Sequence, residues 1–361
     1  MAQYRNIIIS RTDKIGDFVV SIPSYATMKA MYPQARIIAL VSKNNHIIAR
    51  NVDCIDHCVN IDDYADKDQL LAAIRALEPD VFVALVSNNE ISALAKKSGA
   101  PIRIGPYSKM MSFFHYNRGI RQRRSRSIKS EAEYNLDLVR SLDPARFDEV
   151  GIQASRIHYS EDDAALVDSW LKKQGAGSRP FILINPFTGG SGSNINDEHY
   201  AQVIATLLDP RTAHDAGINT ADHAFDVIIM GMEQNAQSME QMVAGLDEQA
   251  RSRVHLFINR ASLMVAAAMV DRCTFFIGPS TGITQIAGNY RKACICFYST
   301  RISNSHTRWA LYGDRDEHPV TLRLEDLHPE TKKLITMTPE IKQQIVAPAM
   351  NALKSLLSGR S

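Results

Sequence analysis

The feature that most constrains this chain is a repeated grammar: a short continuous apolar run, a polar loop, then an apolar pattern at helical spacing. Residues 6–10 (NIIIS) are the first such run, and the loop RTDKIGD leads into VVSIPSYATMKAMY, which has helical spacing. The pattern recurs with strands predicted at 36–41, 81–86 and 102–105 and helices at 68–77 and 91–97. A second series opens at 181–186 (FILINP) and continues with strands at 226–230, 254–258, 273–278 and 293–298, separated by helices at 198–208, 236–244, 261–270 and 283–289. Strands that read as unbroken apolar runs are buried on both faces, which predicts parallel sheets covered by helices on each side. The chain is therefore α/β, and its 361 residues are about twice the usual domain size, so two domains with a cleft between them are expected.

Between the two series lie a helix at 131–141, a polar stretch, and a helix at 161–174 that ends in GAGSRP. Gly175, Gly177 and Pro180 stop that helix and mark the expected linker. The expected organisation is a first domain over 1–174, a second over 175–338, and a closing helical segment over 339–361 that packs back across the first domain. Hydrophobic residues at 45% and charged residues at 22% match a soluble globular chain and exclude disordered or collagen-like classes. Lys and Arg total 41 against 39 Asp and Glu, so the overall charge gives no reason to expect a nucleic acid partner. Five cysteines without zinc-site spacing fit reduced thiols in the cytosol, and no run approaches the ~18–20 apolar residues of a membrane span. The expected location is cytoplasmic, with peripheral contact at a membrane surface. The eleven histidines form no H-E-x-x-H or similar spacing, so neither a metal nor another cofactor is expected.

Three strand-to-helix loops stand where this architecture holds ligands. In the first, residues 11–17 (RTDKIGD), Gly16 permits a tight turn and Asp17 opens the next helix. Asp17 is either a helix cap or a general base for an acceptor hydroxyl. The second, residues 185–194 (NPFTGGSGSN), brings glycines and hydroxyls whose backbone N–H groups could approach a phosphate. The third, residues 278–285 (GPSTGITQ), feeds a helix whose N-terminus suits a pyrophosphate. Neither a G-x-x-x-x-G-K-[ST] nor a G-x-G-x-x-G pattern occurs in these loops, so ATPase and dehydrogenase readings lose their main support.

Taken together, RTDKIGDFVVSIP, NPF-TGG, MGMEQN and FFIGPSTGITQIAG followed by KACICFY come in the order seen in glycosyltransferase family 9, which includes the ADP-heptose:lipopolysaccharide heptosyltransferases. The chain resembles that family from about residue 6 to residue 298. The resemblance implies a GT-B fold, two Rossmann-like domains facing each other across a cleft, with acceptor bound by the first and nucleotide-sugar by the second. It implies an inverting, metal-independent transfer of a heptose or related sugar from a nucleotide-diphosphate donor, ADP-heptose first, to a lipid A/inner-core saccharide. Carried over residue by residue, Asp17 matches the acceptor-deprotonating carboxylate. Thr188, Gly189 and Gly190 match the loop at the diphosphate, Ser280, Thr281, Gly282 and Gln285 match the phosphate-binding helix, and Glu233 matches the ribose-binding acid.

Departures are as specific as matches. Ser280 stands where many members carry Asp, Gln285 where they carry His, and Ser193 and Asn194 where they carry Lys. Losing a cation beside a diphosphate removes a charge-assisted contact, for which Lys14, Arg301 and Arg308 are candidate replacements. The run IRQRRSRSIKS holds six basic residues when the flanking Arg118 is counted, and no acidic one, and reads as a mobile surface loop. Within it Arg118, Arg121, Arg123 and Arg124, with Lys14, are expected to meet acceptor phosphates; the alternative is a solvated charged loop. Two other functions stay open: a catalytically weak binding or scaffold protein, and a nucleotide-sugar epimerase of the same fold.

Overall fold

The computed structural model describes residues 3–107, 112–189, 193–218, 225–311, 320–322, 326 and 333–358. The chain divides into two compact units, Met1–His158 and Tyr159–Ser361. In the first, β1 (Asn6–Arg11), β2 (Arg36–Val41), β3 (His57–Asn60), β4 (Val81–Ala84), β5 (Ile102–Pro106) and β6 (Arg118–Ile120) form one sheet in the order β3-β2-β1-β4-β5-β6. In the second, β7 (Phe181–Ile184), β8 (Asp226–Gly231), β9 (Val254–Ile258), β10 (Phe275–Pro279), β11 (Cys294–Ser299) and β12 (Val320–Leu322) are ordered β12-β11-β10-β7-β8-β9. Every ladder in both sheets is parallel. The apolar runs are buried as their composition requires: Ile7, Ile8 and Ile9 of β1 and Ile182, Leu183 and Ile184 of β7 are fully enclosed.

Strand order fixes where ligands can sit. From β1 the chain winds outward through β2 and β3, then returns to place β4 on the other side; β7, with β8 and β9 on one side and β10 on the other, repeats the device. Beyond the carboxyl ends of β1 and β4, and of β7 and β10, the outgoing connections diverge and leave a crevice. The loops singled out from sequence leave β1, β7 and β10 at these two switch points.

Two boundaries differ from expectation. The division falls before the helix Glu161–Gln174, not after it, because that helix packs in the second unit: Arg272 holds Asp168 through two hydrogen bonds of 2.6 and 2.9 Å, and Ser262 donates to Asp163. Gly175, read as linker, is the left-handed C-cap of the helix, at φ 69°. The closing helix Pro339–Ser358 does not belong with the first unit; Ile345, Val346, Ala349, Met350, Leu353 and Leu357 are built into the core of the second. Each large aliphatic side chain buried in this way contributes roughly 1.5–3 kcal/mol of transfer free energy, which ties the helix firmly there. Among the described residues no helix is long and apolar enough to cross a membrane.

Candidate active site

At the first switch point β1 ends in Arg11, a side chain only 1% exposed. Its Nε donates to Asp13 Oδ1 at 2.7 Å, its Nη2 to Asp17 Oδ1 at 2.8 Å, and its Nη1 to Glu131 Oε1 at 2.7 Å and Asn135 Oδ1 at 3.1 Å. Asp17 lies in the first turn of the short helix Ile15–Val19, whose N-cap residue Lys14 makes no side-chain cap. Asp17 is thus not the cap. It is a carboxylate seated on a buried guanidinium, with 17% of its side chain exposed. Burial pushes its pKa up to about 6; Arg11 opposes that shift, while Asp13 and Glu131 add to it. Burial also works against the charge on Arg11, but Asp13, Glu131 and Asp17 together hold its pKa above the ordinary value, so the guanidinium stays charged. A carboxyl that titrates near neutrality beside solvent is suited to accept a proton.

Glu131 is brought here by the helix Glu131–Arg140, whose start is fixed by a capping box between Ser130 and Glu133. At the head of that helix a buried carboxylate is favoured by the macrodipole. Its Oε1 also accepts from Arg124 Nη1 at 2.5 Å, and Arg124 Nη2 reaches the carbonyl of Leu85, just past β4. The basic segment is therefore not a free loop. Its first residues form β6, Arg118 Nη1 donates to the Leu142 carbonyl, Gln122 Nε2 donates to the Tyr134 carbonyl, and Arg124 points inward. Arg124 is a structural member of the buried network, a correction to its expected exposure to acceptor. Arg121 and Arg123 are exposed, as is Lys14, and none of the three has an ion pair among the described residues.

At the second switch point the described residues of the two loops are uncharged. Gly278 in β10 lets the strand pass the 185–189 loop closely: a Cβ there would lie 2.8 Å from the carbonyl oxygen of Asn185. Asn194 Nδ2 donates to the Pro186 carbonyl at 2.6 Å, and its Oδ1 accepts from Tyr200 at 2.8 Å. Asn194, one of the two residues standing where many family members carry Lys, is thus a staple that shapes the loop. Thr188 is half-buried beside Gly189, around which a Cβ would meet nothing within 4 Å. Gly190 lies outside the described residues. Across from this loop the helix Gly282–Asn289 starts after Thr281, which is extended and gives no side-chain cap. Among the described residues its first N–H groups have no side-chain cap and are open to another acceptor. Ser280 is half-buried next to it, and its backbone N–H donates to the Phe297 carbonyl.

Gln285 is placed differently from the phosphate loop. It is buried, and its Nε2 donates to the Trp309 carbonyl at 3.0 Å, which the Tyr298 hydroxyl also reaches. Gln285 therefore anchors the segment after β11, where Arg301 is exposed and the Arg308 guanidinium lies 5.5 Å over the Trp309 ring. Glu233, past β8, forms a two-bond pair with Arg260, past β9, at 2.5 and 3.0 Å. Arg260 holds its carboxyl below the usual range. Arg260, Glu131 and Asn135 were not foreseen as site residues. Among the described residues no group of three His, Cys, Asp or Glu side chains converges as metal ligands would.

No family model matches the chain. A curated protein of Haemophilus influenzae named "Putative glycosyltransferase" is 28% identical over 331 residues, which cover 86% of this chain and 87% of the relative. Among solved structures, a glycosyl transferase family 9 protein from Veillonella parvula matches at TM-score 0.75 with 15% identity, covering 99% of this chain and 98% of its own. Escherichia coli ADP-heptose lipopolysaccharide heptosyltransferase II matches at TM-score 0.74 with 15% identity, covering 99% and 100%. An Escherichia coli heptosyltransferase with ADP matches at TM-score 0.64 with 14% identity over the same shares. At such identities the structural matches speak for the fold. The chain has the GT-B fold, shared with the family 9 and heptosyltransferase structures, and in sequence it is similar to a protein named as a glycosyltransferase.

Proposed function

We propose that this chain is an inverting glycosyltransferase that moves a heptose or a related sugar from a nucleotide-diphosphate donor to a saccharide of the lipopolysaccharide or lipooligosaccharide core, without a metal. The observation that carries the proposal is Asp17, a half-buried carboxylate with a pKa near 6 at the first switch point. The donor is taken to be ADP-heptose-like, in keeping with the fold neighbours that hold ADP or an ADP-heptose analogue. In this single displacement the acceptor hydroxyl gives its proton to Asp17 and its oxygen attacks the anomeric carbon. The bond from that carbon to the diphosphate breaks, and the diphosphate leaves with the electron pair, inverting the anomeric configuration. The leaving charge would be met by the uncapped N–H groups of the helix Gly282–Asn289 and by the loop at Thr188 and Gly189. Exposed Arg121, Arg123 and Lys14 would steer a phosphorylated acceptor, which implies peripheral work at the cytoplasmic face of a membrane.

A second reading, a nucleotide-binding protein without transfer, is favoured by Asn194 and Gln285, both taken up by internal hydrogen bonds where family members carry Lys and His. Titration with ADP, UDP and GDP in the presence of EDTA, followed by transfer assays, separates the two. ADP binding without metal, then transfer to a core saccharide, is the expected result. ADP binding without transfer to any core acceptor would favour the second reading, and no nucleotide binding would overturn both.

A further inference from the structure

The first switch point holds more charge than a lone general base requires. Four of the five N–H donors of Arg11 are placed, on Asp13, Asp17, Glu131 and Asn135, so the guanidinium is fixed along both edges. Glu131, 2% exposed and 120 residues away in sequence, gathers Arg11 and Arg124 on one oxygen, Oε1. Asp17 accepts from Arg11 through Oδ1 and makes no other side-chain hydrogen bond among the described residues. We propose that Glu131 is a positioning residue: itself held by Arg124, it fixes Arg11 through Oε1, so that Arg11 holds Asp17 through Oδ1 alone and leaves Oδ2 for the acceptor proton. The inference rests on the reading of Asp17 as the base.

Charge balance gives the clamp a consequence beyond geometry. Asp13, Asp17 and Glu131 supply three negative charges against two positive charges on Arg11 and Arg124, a net of one negative charge. Uptake of the acceptor proton on Asp17 brings the cluster to neutrality, so the network favours the step it surrounds. Other ionisable groups on the adjoining elements include Lys14, the exposed N-cap of the Asp17 helix, and Lys43 and His46 on the helix Lys43–Ala49 packed against it. Among the described residues none of these forms an ion pair with the cluster.

The test exploits the signs. Glu131→Gln leaves two negative charges against two positive and should lower the titration midpoint of Asp17, whereas Arg124→Gln leaves three against one and should raise it. Both midpoints are read by carbon-13 NMR of the side-chain carboxyl in the full chain, with the resonance assigned by its loss in Asp17→Asn. Opposite displacements of about half a pH unit or more are expected. Midpoints that stay put, or move in the same direction, would overturn the proposal. Should Glu131→Gln fail to fold, the partly exposed Arg124→Gln decides alone: a downward or absent shift overturns the clamp. In transfer assays Glu131→Gln should lower kcat by about tenfold or more with the donor KM unchanged. Because the NMR readout needs no turnover, opposite shifts in a protein that never transfers sugar would sustain the clamp and sink the proposed function.

Discussion

The two units repeat one topology and fill its crevice with opposite chemistry. Beyond β1 and β4 lies a buried cluster of guanidinium and carboxylate groups; beyond β7 and β10 lie backbone amides, hydroxyls and a glycine, and the staple there is the neutral Asn194. A parallel sheet supplies the crevice in both cases, and the side chains at the strand ends decide its use. Enclosed charge retunes a proton acceptor. An open helix start with closely approached backbone suits a group that arrives and departs as an anion. Under the proposed function, the first crevice would serve the acceptor proton and the second the departing diphosphate.

The contrast can be broken at either end. The largest effect is expected from Arg11→Met, which strands Asp13, Asp17 and Glu131 around a neutral side chain. Removing one partner from a buried charge cluster costs roughly 3–5 kcal/mol, so denaturant unfolding should show the first unit lost well before the second. At the second switch point Gly278→Ala forces a Cβ against the Asn185 carbonyl and should cost about 1–3 kcal/mol together with nucleotide affinity. Gly189→Ala meets no neighbour and should leave stability unchanged while weakening ADP binding; equal losses of stability in the two variants would refute the close-approach account. Smallest is the double change Arg121→Glu and Arg123→Glu at exposed positions. It should raise the acceptor KM and flatten its salt dependence with little change in kcat, and a loss confined to kcat would argue against steering.

If Asp17 is the base, it also links activity to pH in a defined direction. With a folded-state pKa near 6, above the ordinary carboxyl value of 3.8, its ionised form weakens the fold, so its contribution to stability is full below about 4 and is lost as pH rises through about 6. Catalysis runs the other way and should fade as pH falls through about 6. Both trends have burial as their first cause, and under the proposed function they describe a carboxylate kept for reactivity at some expense in stability.

The sequence made the sheets legible because β1, β2, β7 and β8 are unbroken apolar runs, which only burial on both faces explains. β6 and β12 leave no signal because three residues are too short to carry a period, and β3 (HCVN) leaves none because its four residues are not an unbroken apolar run. The domain boundary was misread because Gly175 punctuates a helix of the second unit, while the actual division lies in the polar stretch before Ser160, where nothing in the composition changes. At the site, Asp17 and the glycine loops follow from local spacing. Glu131 does not, since a buried carboxylate 120 residues from its partner leaves no local signal. Arg124 was visible only as one more charge in a basic run, and its inward turn depends on a carbonyl past β4 and a carboxylate at a helix start.

The most direct test of the central claim is sugar transfer by Asp17→Asn compared with the unaltered chain at pH 8, using ADP-heptose and a lipid A core saccharide, with ADP affinity measured alongside. Loss of a general base predicts turnover lower by about 10²–10⁴-fold with ADP affinity unchanged. Turnover at the unaltered rate would contradict the account.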